Sequence, residues 1–315
     1  MSKSLGNTID PIAVCNEFGA DILRLWVSST DYQADVRISK DILKQISDSY
    51  RKIRNTYRFL LGNLFDFDPE KDSVPYEKLG EVNQYMVCKL NQLIKQMHEA
   101  YQKYAFDEVY RLALNFMSVD LSSFYLDFTK DILYIEKADS LERRSIQTVF
   151  YQALYSLLTL LTPVIPHTTE EVYSYLPNKK QESIYLCEMP EATHHQNEEE
   201  LNKYAEFMAL RNDVLKALEL KKKKKIIGKS LNAKVTFNPT PKLAKLILSL
   251  DINLAQVFIV SKFNVVGTHI EGAINSDSGE ILVEPASGHT CARCWQIVEN
   301  VDEDGLCERC KKIVG

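Results

Sequence analysis

Several features typical of membrane and secreted proteins are missing from the 315-residue sequence. No signal peptide opens the chain, and no apolar run approaches the roughly 20 residues that a membrane-spanning helix needs. There is also no internal repeat, which argues against a repeat architecture. With 45% hydrophobic and 26% charged residues, the composition predicts a soluble globular protein, and the length suits two or three domains.

A glycine-rich phosphate-binding loop is also missing. Gly228, Lys229 and Ser230 match the end of such a loop. The motif requires another glycine five positions before Gly228, and Lys223 stands there instead. The sequence therefore offers no nucleotide site of the P-loop type.

No strong excess of one charge sign marks the whole chain. Its net charge of −5 is weak evidence against a nucleic-acid partner. Residues 201–234, however, hold ten Lys or Arg against three Asp or Glu. This basic zone, with Lys222, Lys223 and Lys224 as candidate phosphate contacts, is typical of an RNA-binding surface and equally of a solvated helix end.

The most informative local motif lies near the C-terminus. Two C-x-x-C pairs, Cys291 with Cys294 and Cys307 with Cys310, are separated by twelve residues. Four thiolates at this spacing can enclose one zinc ion, and the lack of an open coordination position indicates a structural metal. The alternative is two disulfides or unrelated thiols. Three further cysteines are isolated and fit a reducing cytoplasm: Cys15, Cys88 and Cys187.

Hydrophobic periodicity predicts a mainly α fold for the first 200 residues, an antiparallel helix bundle with short loops. Asp10 and Ser39 are predicted N-cap residues that start helices. Two more helix starts are predicted from capping boxes, Asp-x-x-Glu at Asp139 and Thr-x-x-Glu at Thr168. Helices are expected over residues 11–26, 39–64, 78–103, 107–133, 142–162 and 168–176.

The period changes after a long helix predicted over residues 198–224. Segments rich in β-branched residues predict strands at Ala233–Phe237, Val257–Val260 and Glu280–Glu284, with a helix at Pro241–Leu250. This pattern indicates a small α+β unit followed by a four-cysteine zinc knuckle.

The first seven residues, Met-Ser-Lys-Ser-Leu-Gly-Asn, resemble the second signature of class I aminoacyl-tRNA synthetases. In that family the lysine matching Lys3 stabilises the triphosphate of ATP. Similar segments extend the resemblance, in its isoleucyl branch, over essentially the whole chain. They are Gly19–Trp26, Asp31–Ser39, Arg51–Thr56, Phe59–Leu64, Pro163–Glu171 and Cys291–Trp295.

The resemblance implies the C-terminal part of a bacterial-type isoleucyl enzyme, which is cytoplasmic and monomeric, carries one structural zinc, and joins isoleucine to its tRNA with ATP. It implies four parts: a signature loop and stem-contact region (1–38), an anticodon-binding helix bundle (39–197), a long helix with an α+β junction unit (198–288) and a zinc module (289–315). ATP and isoleucine binding would need an upstream portion with the Rossmann halves.

Candidate RNA contacts lie on one helix face and beside the zinc motif. Arg51, Arg54 and Arg58 form either a solvated surface or an RNA-binding face, since arginine binds phosphate and stacks on unpaired bases. Trp295 either covers the metal site, which the small apolar core of such a module favours, or stacks on a base.

Two other functions remain open on the residues alone. One is a valyl- or leucyl-type synthetase part, against which the zinc module and residues 31–39 argue. The other is an autonomous zinc-containing RNA- or protein-binding module, which would have no use for the signature around Lys3.

These 315 residues alone should not catalyse isoleucine-dependent ATP–pyrophosphate exchange. Adenylate formation needs charge preorganised around the triphosphate and a pocket for the amino acid, and only Lys3 and its neighbours are recognisable. The assay measures labelled pyrophosphate entering ATP. Exchange above background by the rigorously purified chain would contradict this expectation.

Overall fold

A computed structural model describes residues 4, 8–193, 195 and 198–315. The chain forms two compact units, each discontinuous in sequence. Unit 1 comprises residues 1–74, 86–126 and 144–196, and unit 2 comprises residues 75–85, 127–143 and 197–315. The predicted mainly α fold with a small sheet is confirmed. Among the described residues, no helix combines the length and apolarity needed to cross a membrane.

The N-terminal helical region contains a break that periodicity did not predict. Helix α1 (Pro11–Phe18) begins as expected, because the Asp10 carboxylate accepts a hydrogen bond from the backbone N–H of Ile12 at 3.0 Å. Gly19 then adopts a φ of +101°, which ends α1, and α2 (Ala20–Ser28) follows. The single helix expected over residues 11–26 is therefore two helices.

Helix α3 (Lys40–Gly62) begins after Ser39, as predicted. The Ser39 hydroxyl accepts from the N–H of Ile42 at 3.2 Å. One face of α3 is buried, and within unit 1 the Tyr57 hydroxyl donates to the carbonyl of Leu157 at 3.1 Å. The apolar stripe thus packs in the core and leaves the charged face in solvent.

The remaining helices up to residue 174 are α4 (Glu81–Gln102), α5 (Phe106–Asn115), α6 (Leu126–Ile135), α7 (Leu141–Leu161) and α8 (Pro166–Ser174). Between α5 and α6, Phe116–Tyr125 is a π-helix, with hydroxyl-to-carbonyl bonds five residues back from Ser122 and Ser123. Short 3₁₀ turns occur at Tyr76–Lys78 and Ile184–Leu186.

Both predicted capping boxes are wrong in position. At α7 the capping hydroxyl belongs to Ser140, which accepts from the N–H of Arg143 at 3.3 Å, so Asp139 lies one residue outside the cap. At α8 the helix begins earlier, at Pro166, because proline is favoured in the first turn. Thr168 is therefore already helical.

A distant carboxylate takes the place of the missing cap on α8. The residue before α8, Ile165, has no side-chain acceptor. Within unit 1, the carboxylate of Asp21 on α2 accepts from the N–H of Thr168 at 2.7 Å, from its hydroxyl at 2.6 Å, and from the N–H of His167 at 3.4 Å. Asp21 is buried, so this contact satisfies donors that water cannot reach.

Unit 2 contains helix α9 (Glu198–Lys223) and a four-stranded sheet of order β2-β1-β4-β3. The strands are β1 (Ala233–Pro239), β2 (Lys262–Val265), β3 (Ile274–Ser276) and β4 (Gly279–Pro285). Strand β1 is parallel to β2, with Val235 opposite Phe263, and antiparallel to β4, with Val235 opposite Val283. A 3₁₀ turn, Ser230–Asn232, leads into β1.

Two strand predictions are confirmed in unit 2 and one is wrong. Strands β1 and β4 cover the predicted segments 233–237 and 280–284, and α10 (Pro241–Leu248) covers most of the predicted helix. The segment 257–260 instead overlaps the end of a short helix, α11 (Leu254–Val257). The Asn253 side chain caps the start of this helix by accepting from the N–H of Gln256. Strand β2 begins five residues later.

The C-terminal part of unit 2 is a two-stranded sheet and a short helix. Strands β5 (His289–Thr290) and β6 (Ile297–Val298) pair antiparallel, and α12 (Glu308–Val314) closes the chain. The first C-x-x-C motif occupies the turn between β5 and β6. The second opens α12, where Cys307 is the N-cap residue.

Replacing Asp21 with Ala should lower the free energy of unfolding by about 2–3 kcal/mol, because buried donors on α8 lose their acceptor. Asp21→Asn, which keeps one acceptor oxygen, should lower the free energy of unfolding by less than Asp21→Ala does. The exposed Asp35→Ala is the matched control and should have almost no effect. Urea unfolding followed by circular dichroism measures all three. Equal stability of the Asp21 and Asp35 variants would contradict the capping role.

Candidate functional site

The structure brings together the four cysteines that the sequence predicted as a metal site. Their sulfur atoms all lie within 4.8 Å of one another, and all four residues are buried. The Sγ atoms of Cys294 and Cys307 are 3.8 Å apart. A tetrahedron with metal–sulfur bonds of about 2.3 Å has sulfurs about 3.8 Å apart, so the cluster fits one zinc ion.

Local backbone structure explains how the sulfurs converge. Each C-x-x-C motif forms one turn, so that backbone N–H groups point at the sulfur atoms. The N–H of Cys307 donates to Sγ of Cys291 at 3.3 Å, and that of Cys310 to Sγ of Cys307 at 3.5 Å. All four thiols are free in this structure, an arrangement that favours a metal site over the disulfide alternative. Sulfur ligands oriented by N–H donors are the arrangement that a thiolate–metal site uses.

The same surroundings move the pKa values of these thiols in opposite directions. Burial alone would raise the pKa of Cys291, but N–H groups of Cys294, Cys307 and Arg293 outweigh it and lower the pKa to about 6. Burial raises the pKa of Cys310 to about 11. The N–H donors around Cys291 favour its thiolate, which is the form in which a cysteine sulfur binds a metal.

The predicted arginine face on α3 is not uniform. Arg51 and Arg58 are exposed, and Arg51 pairs with Asp48 one turn away. Arg54 instead forms a bidentate ion pair with Glu171 of α8, with both N–O distances 2.7 Å. The hydrogen bonds to Glu171 raise the pKa of Arg54 above its usual value. Arg54 is thus engaged in a contact inside unit 1, and Arg51 and Arg58 offer the more accessible guanidinium groups.

The predicted lysine cluster lies at the C-terminal end of α9. Lys223 and Lys224 are exposed, and Lys222 pairs with Glu219 at 2.8 Å. The chain leaves the helix at Lys225, whose φ is +56°, and the N–H of Ile226 donates to the carbonyl of Lys221 at 3.0 Å. The cations therefore complement the helix dipole, and their charges remain accessible.

Trp295 does not cover the metal site. Its side chain is 67% exposed, and its backbone has a φ of +61°, an uncommon conformation for a residue with a bulky side chain. The interpretation as apolar packing is therefore wrong. The Trp295 N–H donates to the carbonyl of Cys291 at 3.0 Å, so the positive φ belongs to the tight turn that carries the first two cysteines.

Next to Trp295, unit 2 contains a cleft of about 390 Å³. The residues that line it include Phe128 and Tyr134 of α6 together with Arg293 and Trp295. The Nη1 atom of Arg293 is buried and has no hydrogen-bond partner among the described residues. The cleft thus combines the aromatic rings of α6 and Trp295 with a buried arginine beside the cysteine cluster.

Sequence reasoning did not find the α6 side of this cleft. Phe128 and Tyr134 carry no motif and belong to an ordinary amphipathic pattern, so only the tertiary structure connects them with Trp295. Lys3, the predicted ATP-binding residue, lies outside the described residues.

Two family models match the chain. The anticodon-binding domain of tRNA ligase matches residues 83–237, and the class I tRNA synthetases (I, L, M and V) match residues 1–39. The first matched segment contains Lys222, Lys223 and Lys224. Arg51, Arg58 and Trp295 lie outside both segments.

Curated relatives align with the whole chain. Isoleucine–tRNA ligases from Bacillus mycoides and Bacillus cytotoxicus are 51% identical to it, and one from Bacillus cereus is 50% identical, in each case over 100% of this chain and 35% of the relative. The chain therefore spans about a third of the length of these relatives. One solved structure, the ternary complex of Agrobacterium radiobacter K84 LeuRS, tRNA and LeuAMS, also resembles the chain. The alignment covers 61% of this chain and 22% of the solved chain, with 20% identity and a TM-score of 0.48. This TM-score is too low to support an argument about function.

Proposed function

Since this chain belongs by homology to the isoleucine–tRNA ligases, which are class I tRNA synthetases, we propose that it is the tRNA-binding, anticodon-recognising part of such an enzyme. The observation that carries the proposal is 51% identity along the entire chain. The match of residues 83–237 to the anticodon-binding domain supports the same role. The whole enzyme would join isoleucine to its tRNA with ATP in the cytoplasm, acting as a monomer.

The chain has a limited share in that reaction. By resemblance Lys3 would contact the triphosphate of ATP, and ATP and isoleucine would bind only together with the upstream catalytic portion. We assign the signature and stem contact to residues 1–38, an antiparallel anticodon-binding bundle to 39–197, the junction unit to 198–288 and the zinc knuckle to 289–315. The helical content of residues 40–174 and the position of the cysteine cluster support this division.

A zinc ion would be held by Cys291, Cys294, Cys307 and Cys310. Buried sulfurs at tetrahedral spacing support this assignment. With four protein ligands no position is open to substrate, so zinc would supply folding energy to the C-terminal part. Few apolar side chains accompany the four cysteines in their cluster. A module with so small an apolar core needs a bound metal to stabilise its fold.

RNA contacts fall into two chemical kinds. Lys222, Lys223 and Lys224 would bind phosphates, which fixes position without reading sequence. Trp295 would stack on an unpaired base, which suits the splayed bases of an anticodon loop. Arg51 and Arg58 are further candidates, and Arg54 would contribute only after leaving Glu171.

Homology favours isoleucine over the alternatives. The relatives at 50–51% identity are isoleucine–tRNA ligases, which argues against a valyl or leucyl type. An autonomous zinc-containing binding module is disfavoured because the synthetase match includes residues 1–39.

One zinc ion per chain should co-purify with the protein. Changing any of the four clustered cysteines to Ser should release it, because three sulfurs hold the ion much more weakly, while unit 1 keeps its own buried core. The lone Cys15→Ser is the matched control and should retain full zinc. Metal analysis by mass spectrometry gives the stoichiometry. Absence of zinc from the native chain, or its retention in a Cys291→Ser, Cys307→Ser double variant, would contradict the site.

Binding of isoleucine tRNA should weaken steeply with salt. Changing Lys222, Lys223 and Lys224 to Ala should weaken all tRNAs about equally and reduce the salt slope. Trp295→Ala should cost about 1–3 kcal/mol of binding free energy through lost stacking. Leu248, 87% exposed on α10 and outside the proposed anticodon-binding bundle, supplies the control Leu248→Ala, which should leave binding unchanged. Fluorescence anisotropy with labelled tRNA measures these affinities. A Trp295 variant that binds like the Leu248 control would exclude the stacking role.

A further inference from the structure

The third residue of each C-x-x-C motif is arginine, and both arginines reach the same end of helix α6. The Nη2 of Arg293 donates to the carbonyl of Ile135, the last residue of α6, at 2.7 Å. A helix leaves its last carbonyls without intrahelical partners, and its C-terminal dipole attracts cations. Arg293 therefore supplies what this helix end lacks.

Arg309 contacts the same region through two carboxylates. Its Nη1 donates to Asp131 at 2.6 Å, and its Nη2 and Nε donate to Glu136 at 2.7 and 2.9 Å. The three side chains are between 20% and 31% exposed, so solvent screens these bonds less than an exposed pair. By contrast, Lys312 and Glu308 form a fully solvated pair in the same short helix.

Apolar contact joins the same two elements. Ile135 is buried in one cluster with the four cysteines. The partly buried side chains of Val298, Leu306 and Ile313 pack against this cluster. The end of α6 thus touches the sulfur cluster itself, as well as the two arginines beside the sulfurs. Any change in the conformation of the C-x-x-C turns would move groups that bind α6.

We propose that Arg293 and Arg309 are positioning residues that link metal binding to the docking of α6, an inference that rests on the metal site proposed above. Metal ligation fixes both C-x-x-C turns and hence both arginine stems. Without the metal, the turns lose that constraint. Docking of α6 must then itself order the two arginines, and the cost of ordering them weakens the docking. Linkage is reciprocal, so the docked arginines in turn raise the affinity for zinc.

The link has a consequence for the cleft beside Trp295. Phe128 and Tyr134 lie on α6, whereas Trp295 directly follows a cysteine of the cluster. The two arginines keep α6 at a fixed distance from the turn that carries Trp295. Metal loss should therefore open the cleft even though zinc itself would touch no bound base.

The test compares Arg309→Gln with Lys312→Gln in the same helix. Zinc affinity is measured by competition with a chromophoric chelator, and Arg309→Gln should bind zinc about tenfold more weakly, within the usual range for coupled sites. Lys312→Gln should match the unmodified protein. Hydrogen exchange then reports on α6: removing zinc from the unmodified protein should deprotect amides 127–136 and leave α5 unchanged.

A second variant removes the contact from the other side. Asp131→Asn with Glu136→Gln leaves the zinc module intact and should weaken zinc binding to a similar extent, so the test survives if Arg309→Gln fails to fold. Zinc affinity unchanged in these variants, or α6 protection unchanged on zinc removal, overturns the proposed link. An unmodified protein that binds no zinc contradicts the metal site itself and removes the basis of the link.

Discussion

The C-terminal part of unit 2 depends on one constraint, the convergence of four buried thiols within 4.8 Å. Thiols packed this closely cannot all ionise without a cation among them, and as neutral groups they offer only weak polar contacts. A zinc ion would convert this unfavourable cluster into the strongest set of bonds in the region. The turns that carry the sulfurs also carry Arg293, Arg309 and Trp295, so the geometry of the cluster determines where these three side chains start.

Polar contacts of a different kind fix the helices of unit 1. Asp21 caps α8 from a distant position in the sequence, and Arg54 joins α3 to α8 through Glu171. Apolar packing alone would allow helices to slide or rotate slightly, whereas these directional bonds permit one register. The N-terminal helices are thereby connected to helices that contribute to the proposed tRNA-binding surface. The bond to Glu171 engages Arg54 inside unit 1, and its predicted contact with RNA stays a prediction.

The sequence predicted the helices well where one apolar face repeats over many turns, as in α3, α4 and α9. It failed where local chemistry decides: Ser140 rather than Asp139 caps α7, and Asn253 caps a short helix where β-branched residues suggested a strand. The cysteine cluster was predictable because ligand identity and spacing are local. The cleft was not, since Phe128 and Tyr134 approach Trp295 only through tertiary packing. The exposure of Trp295 and its left-handed backbone conformation were likewise not evident from the sequence.

The most direct test of the account is competition between two isoleucine tRNAs that differ only in the anticodon. Both transcripts share every contact to the acceptor arm and differ only in the unpaired bases that the chain is proposed to read. If the chain is an anticodon-recognising part, the native transcript should compete at least tenfold better than the one with a replaced anticodon, as expected for loss of one or more base contacts. Equal competition by the two transcripts would contradict the account.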